Sequence, residues 1–350
     1  MAREHSHVKK RRRGCLGGCL TRILLLLGLC AVLLVGACVL GLVKNDPQTG
    51  KPSLSLEGVG LDSVQLPDLG NMQLPDLGGL ELPEGGMDGA LEWAKNGLSV
   101  WPYAVSRSGL TIKTLRAGDG EAVLVCADGY TMLVGGGSGM GAALTAQLLL
   151  SGAGHLNAAV AMSADAAQIG GMPLAITLIR PAYLIYPASQ TKGRAYNRLL
   201  ESAGRSEKTQ LLAPKHGLSF MLGRAQVTIV GPSRIAHTDE RDDGLSLRID
   251  YGHTSVLIMG SITSSGEREL ITSGVNLDAD ALICSLGGSE EATSQAFVQA
   301  VSPAVALMTG KEPANAVRVR LSRAGAQVYT TKEHGVMTLV SDGQTMVVRP

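Results

Sequence analysis

The chain has 350 residues, of which 45% are hydrophobic, 17% charged and only 3% aromatic, with 45 glycines. So much apolar material excludes full disorder, the glycines lack the three-residue period of collagen, and aromatic scarcity argues against stacking platforms for single-stranded nucleic acid. The formal charge of +1 divides unevenly, with +6 over residues 1–22 and −5 over the rest. That acidic body gives no electrostatic footprint for a phosphate backbone.

In chain order, a basic tail comes first (residues 1–22), with Lys9–Arg13 and Arg22 beside the first apolar run. Ile23 to Val43 carries no charge over 21 residues, about 31 Å of helix against a hydrocarbon core of about 30 Å. A transmembrane helix is expected there, with the basic flank cytoplasmic and everything after Lys44 outside. A lipoprotein with Cys38 as the lipidated residue and a cleaved secretory peptide are the alternatives, and both also place the body outside. Cys15, Cys19, Cys30 and Cys38 lie in or beside this segment. Only Cys126 and Cys284 belong to the body, so no disulfide framework and no zinc knuckle is expected.

Residues 44–86 read as a Gly/Pro-rich stalk with an eight-residue repeat, QLPDLGNM, QLPDLGGL and ELPEGG, suited to extended stretches broken by turns. Residues 87–350 form the body. Strands are expected at Leu110–Leu115, Ala122–Ala127, Thr131–Val134, Ala158–Met162, Tyr183–Tyr186, Ala225–Val230, Leu245–Tyr251, Ser255–Met259, Ala281–Ser285, Ala304–Met308, Gln327–Thr330 and Val336–Val340. Helices are expected at Leu144–Ser151, Ala166–Leu174, Gly193–Ala203, Gly266–Ser273, Glu291–Val301 and Ala314–Ala324. Hairpin turns at Asp128-Gly129, Tyr251-Gly252 and Asp342-Gly343 alternate with helical links, which argues for an α/β (α+β) fold of two mixed sheets sandwiched by helices. Gly252 and Gly343 fall where a tight turn needs positive φ.

Six segments stand in a specific order: Gly118-x-Gly120-Glu121 after the first strand, Ile169-Gly170-Gly171, Ser246-Leu247 before a strand–Tyr-Gly–strand hairpin, Gly288-Ser289, Val328-Tyr329-Thr330 and Gly335. Over about residues 110–345 this resembles the metallo-β-lactamase-like domain at the C-terminus of ComEC, the competence membrane protein of DNA uptake. The resemblance implies an αββα sandwich carried on the N-terminal transmembrane helix. Hydrolases of that family hold two metals, usually zinc, on imidazoles and carboxylates at loop ends. The positions implied for His-x-His-x-Asp-His read Ser163, Asp165, Ala167 and Gln168 here, and other expected donors read Arg116, Gly135, Ser261, Leu286, Gly287 and Glu312. Asp165 alone could at best hold a weak, hydrated Mg²⁺ or Ca²⁺. No metal, cofactor or catalytic residue is expected, and the remnant cleft predicts a small polar pocket of Ser163, Asp165, Gln168, Ser261 and Ser289.

Other chemistries fit less well. The run Gly135 to Gly141 lacks the Lys-Ser/Thr of a phosphate loop, and Gly136-Gly137-Ser138-Gly139-Met140 lacks the last glycine of a nucleophile elbow. His155, His216, His237, His253 and His334 show no metal-ligand spacing and read as surface or hairpin residues. Asp242-Asp243 and Glu290-Glu291 read as turn and helix-start acids. The expectation is a single-pass extracytoplasmic protein of the cell membrane that binds or scaffolds. Its expected partners are the membrane, through the N-terminal helix, and a protein or small polar ligand. A hydrolase with a rearranged site, of the phosphodiester or nuclease type, is the alternative, and a DNA-uptake subunit a third that would lack a channel segment.

Overall fold

The computed structural model describes residues 108–349 except 119, 140 and 190–192, together with the backbone of 43–45 and 52–54. Val43–Asn45 (β1) pairs antiparallel with Pro52–Leu54 (β2), Val43 opposite Leu54. This pair belongs to one unit of the chain, residues 1–81, and everything below to another, residues 82–350. The basic tail, the expected span apart from Val43, Cys38 and the repeats of the stalk lie outside the described residues. Among the described residues no helix is long and apolar enough to cross a membrane.

The first half of the body begins with an antiparallel meander of Leu110–Thr114 (β3), Ala122–Ala127 (β4) and Tyr130–Gly135 (β5). A helix, Gly141–Leu150 (α1), leads to Ala158–Val160 (β6), which pairs parallel with β5. Ala166–Ile169 (α2) and Met172–Ile179 (α3) precede Tyr183–Ile185 (β7), and Arg194–Gly204 (α4) precedes Gln210–Leu212 (β8), both strands again parallel.

The second half repeats the plan. Ser219–Leu222 (β9), Ala225–Gly231 (β10), Ser246–Tyr251 (β11) and Thr254–Ile258 (β12) form the antiparallel part. Ser264–Ser273 (α5), Ala281–Ile283 (β13), Gln295–Val301 (α6), Val305–Met308 (β14), Asn315–Arg323 (α7) and Gln327–Thr330 (β15) form the parallel part. Thr331–His334 (α8) then turns the chain back, and Thr338–Ser341 (β16) and Met346–Arg349 (β17) join the first sheet beside β3. The sheet orders are β17-β16-β3-β4-β5-β6-β7-β8 and β15-β14-β13-β12-β11-β10-β9.

Alternation within each strand builds the four layers. In β4, Val123, Val125 and Ala127 face the other sheet, where Ile249, Val256 and Ile283 meet them. Ala122 and Leu124 face α1 and α3 through Leu144, Leu148, Met172 and Ile176. Leu257, Leu282 and Ala306 of the second sheet pack outward on Phe297, Val317 and Leu321 of α6 and α7. Both faces of the central strands are thus dry, which is why they read as continuous apolar runs rather than alternating ones. The sandwich expected from the sequence is present.

Differences are local. The single helix expected over Ala166–Leu174 is two, because Gly170 and Gly171 press against the Gly139 backbone and the Gly136 carbonyl and Pro173 starts a new helix. The helix expected from Glu291 begins at Gln295, where the Ser294 hydroxyl accepts the Phe297 N–H. Strands β8, β9 and β17 and helix α8 had no expectation; they are short and largely exposed, so the burial that patterns a strand is missing. Gly252 and Gly343 do adopt positive φ, and their turns pack together, His253 N donating to the Gly343 carbonyl at 2.7 Å.

Candidate functional site

Strands β5, β6, β12, β13 and β14 end at one rim of the sandwich. The two sheets meet there: the side chain of Met162, after β6, packs on Gly260, after β12, and the Leu245 N–H donates to the Met162 carbonyl at 2.6 Å. Every position that the sequence marks as a remnant of a cleft lies along this rim.

Ser163 is buried and its hydroxyl accepts the N–H of Asp165 at 3.1 Å. The exposed Asp165 carboxylate accepts the Ala167 N–H at 3.0 Å and so caps α2. Gln168 is buried in the same turn, its backbone carbonyl taking the Gly136 N–H at 2.7 Å, while its side-chain Oε1 has no hydrogen-bond partner among the described residues. Ser261 comes from the other sheet and is 1% exposed, its hydroxyl donating to the Arg241 carbonyl at 3.3 Å. Gly244 lies directly on it: a Cβ there would stand 2.8 Å from Ser261 Oγ and 2.9 Å from the Met162 carbonyl. Ser289 is half-buried and keeps local bonds, to the Leu286 carbonyl and the Glu291 N–H. The structure therefore joins Ser163, Asp165 and Gln168 in one turn, places Ser261 behind the segment 241–245, and leaves Ser289 in its own loop.

The remaining positions offer no donor set. Gly135 ends β5 at φ +70°, and a Cβ would lie 2.4 Å from the Glu121 carbonyl oxygen. Gly287 sits at φ +63° with a Cβ position 2.5 Å from Gly310. Neither has room for a carboxylate or imidazole, so these are closed positions rather than merely substituted ones. Arg116 and Ala167 are exposed, and the Gln147 amide holds the Arg116 backbone on both sides (2.9 and 2.6 Å). Glu312 is exposed and paired with Lys332 at 2.7 Å. Among the described residues no group of three or more His, Cys, Asp or Glu could hold a metal ion. The residues present do not fit the two-zinc centre that the resemblance implies.

Three charged groups at the rim escape a motif reading. Glu121 is 3% exposed, neither carboxyl oxygen has a hydrogen-bond partner among the described residues, and burial pushes its pKa up to about 8. The sequence reads it only as part of a fold marker. Glu267, in the first turn of α5, is fully buried, and its oxygens accept the N–H groups of Thr293 and Ser294. His237 is not a surface residue as its spacing suggested: its side chain is 6% exposed and locked between Asp243 (Nδ1, 2.7 Å) and Glu269 (Nε2, 2.9 Å). Burial disfavours its charged form, but the hydrogen bonds the ring donates to the Asp243 and Glu269 carboxylates outweigh it and the pKa rises. Burial alone would raise Glu269, yet Ser233, His237 and Arg234 bring its carboxyl below the ordinary value. Asp242 is equally committed, accepting the Thr263 N–H at 2.7 Å and the Thr263 hydroxyl at 3.0 Å. No spacing rule finds this network, whose members lie 6 and 32 residues apart.

No family model matches the chain. The chain is 24% identical over 196 residues to ComE operon protein 3 of Bacillus subtilis (strain 168), a match covering 54% of this chain and 25% of that protein. It is 28% identical over 113 residues to competence protein ComA of Neisseria gonorrhoeae, covering 30% of this chain and 16% of that one. The match spans about a quarter or less of the length of these relatives. Among solved structures, the metallo-β-lactamase fold protein YhfI from Bacillus subtilis aligns over 65% of this chain and 98% of its own, at 15% identity and a TM-score of 0.43. The chain is thus similar in sequence, over part of its length, to these two competence proteins.

Proposed function

We propose that the domain acts by binding, on a metallo-β-lactamase-like scaffold without a metal centre, and that the apolar segment 23–43 holds it on the outer side of the cell membrane. The closed glycines carry this reading. Gly135 and Gly287 stand at positions where the resemblance implies metal donors, and both have left-handed backbone with main-chain atoms where a side chain would start. The single acid of the old motif, Asp165, spends its carboxylate on a helix cap. The basic tail supports the orientation, because lysine and arginine are retained on the cytoplasmic side of a span. The competence relatives indicate the process in which a binding partner is first to be sought.

Elemental analysis of the full chain, purified in detergent without chelator, tests the reading. No stoichiometric zinc and no zinc- or manganese-dependent phosphodiester hydrolysis are expected. One or two zinc ions per chain, with an activity lost on chelation, would favour the hydrolase instead. Protease added to intact cells should degrade residues 108–349; protection until lysis would reverse the orientation.

A further inference from the structure

A cavity of about 440 Å³ opens beside the rim. Its floor includes Ile229 of β10 and Leu245, the residue whose N–H bonds the Met162 carbonyl next to Ser163. One wall is the loop Pro232–Ile235, the other the 213–216 connection that carries the chain from β8 to β9. The lining contains Lys215, His216 and Arg234 and no acid. Among the described residues neither Lys215 nor His216 has an ion-pair partner, and both are exposed. Ile235 is 54% exposed at the mouth, an apolar side chain with nothing to cover it.

The wall is held from behind. Glu269 accepts the Ser233 hydroxyl, Arg234 Nε at 2.9 Å and His237 Nε2 at 2.9 Å, and His237 Nδ1 is anchored on Asp243. Because this hub is largely buried, the loop keeps its shape without a ligand, and little ordering cost falls on binding. Ligand cavities of a few hundred Å³ combine apolar walls with a few fixed polar groups, as here.

Resting on the binding reading above, we propose that this cavity takes a small amphipathic anion. Its single acidic head would lie toward Lys215, His216 and Arg234, and its short apolar body, of roughly four to eight carbons, against Ile229, Leu245 and Ile235. Phosphate alone would lose the apolar contact; a neutral or cationic chain of the same length would lose the charge complementarity.

The test uses the full chain in lipid nanodiscs and ¹⁹F NMR of 6,6,6-trifluorohexanoate, with empty nanodiscs as blank. Saturable broadening of the probe is expected with protein alone. Lys215→Glu and Ile235→Asp, both at exposed positions, should each weaken it by roughly tenfold or more, and the matching alcohol, ammonium compound and inorganic phosphate should fail to displace it. Unchanged thermal unfolding of both variants separates a lost site from a lost fold. Absent saturable binding, equal displacement by the alcohol or the ammonium compound, or full binding by folded Lys215→Glu overturns the proposal. A zinc-free protein that ignores the probe sinks this inference alone, whereas a zinc hydrolase that binds it sinks only the reading beneath.

Discussion

Glu121 in the first half of the sandwich and Glu267 in the second are both buried carboxyls near the same rim, and they are treated in opposite ways. Glu267 sits in the first turn of α5 and receives the N–H groups of Thr293 and Ser294. Glu121 precedes β4 between glycine-lined loops, and neither of its oxygens has a partner among the described residues. The same contrast runs through the neighbourhood. Asp242, Asp243 and Glu269 of the second half have Thr263, His237, Ser233 and Arg234 as donors. The loops of the first half bring backbone against backbone, Gly120 against the Ala167 carbonyl and Gly137 against that of Ala117, and supply no donor to Glu121. The second half binds its rim acids into structure; among the described residues Glu121 of the first has no such partner.

The sharpest break of this comparison is Glu267→Ala. It strands the buried N–H of Thr293 and the half-buried N–H of Ser294 and opens a cavity, and should cost about 4 kcal/mol in urea unfolding. Burial still outweighs these bonds, so the Glu267 pKa lies above the ordinary value, and Glu267→Gln, which keeps one acceptor, should cost clearly less. Equal costs would mean that the one acceptor the glutamine keeps contributes nothing.

Glu121→Gln should act in the opposite direction. Its folded pKa of about 8 exceeds the ordinary 4.5, so the unfolded chain releases its proton first and stability falls as pH rises from 4.5 to about 8. The variant loses this slope, and near pH 7 it should be more stable than the parent by about 3 kcal/mol, with the gain fading toward pH 4.5. Unfolding curves at pH 4.5, 7 and 8.5 check it; a destabilised variant at pH 7 would mean that Glu121 has a charged partner after all.

The His237 hub predicts a smaller and differently placed effect. Its raised pKa makes the imidazolium's contribution complete below the ordinary 6.5 and lost as pH climbs through the folded value. Glu269, lowered, contributes fully above 4.5 and less as pH falls through its own folded value. The pair is therefore strongest between pH 4.5 and 6.5. His237→Gln should cost about 2 kcal/mol in that window and less at alkaline pH. Hydrogen exchange in the loop 232–244 should rise in parallel; a cost independent of pH would mean packing rather than charge.

These residues also mark what the sequence discloses. Strands such as Ala122–Ala127 are legible because burial on both faces leaves an unbroken apolar run, and the Asp128-Gly129 and Tyr251-Gly252 turns because only a few residues accept their backbone. The edge strands β8, β9 and β17 are not, since exposure removes the pattern. That the positions where the resemblance implies metal donors carry other residues is legible one by one. Their closure by Gly244, Gly135 and Gly287 is not, because it depends on chain segments that meet only in the fold. His237 was misplaced for the same reason: the carboxylate that buries it, Glu269, belongs to a helix beyond two intervening strands.

Asp165 gives the smallest effect and the finest discrimination. Its carboxylate could serve the first half as a leftover ligand or as a helix cap, and the hydrogen bond to Ala167 N–H at 3.0 Å assigns it the cap. Substitution of an N-cap aspartate by alanine costs about 1 kcal/mol, whereas asparagine or serine, which also accept at that position, cost little. Asp165→Ala should therefore lower stability by about 1 kcal/mol, with Asp165→Asn close to the parent, and thermal stability should not respond to added Mg²⁺ or Ca²⁺ in any of the three. A ligand would reverse the pattern, because an amide oxygen is a much weaker cation donor than a carboxylate and the asparagine variant would lose the metal response as completely as alanine. Cation-dependent stabilisation of the parent that both variants abolish would return Asp165 to the chemistry of the cleft, and the first half would then hold two acids awaiting partners instead of one.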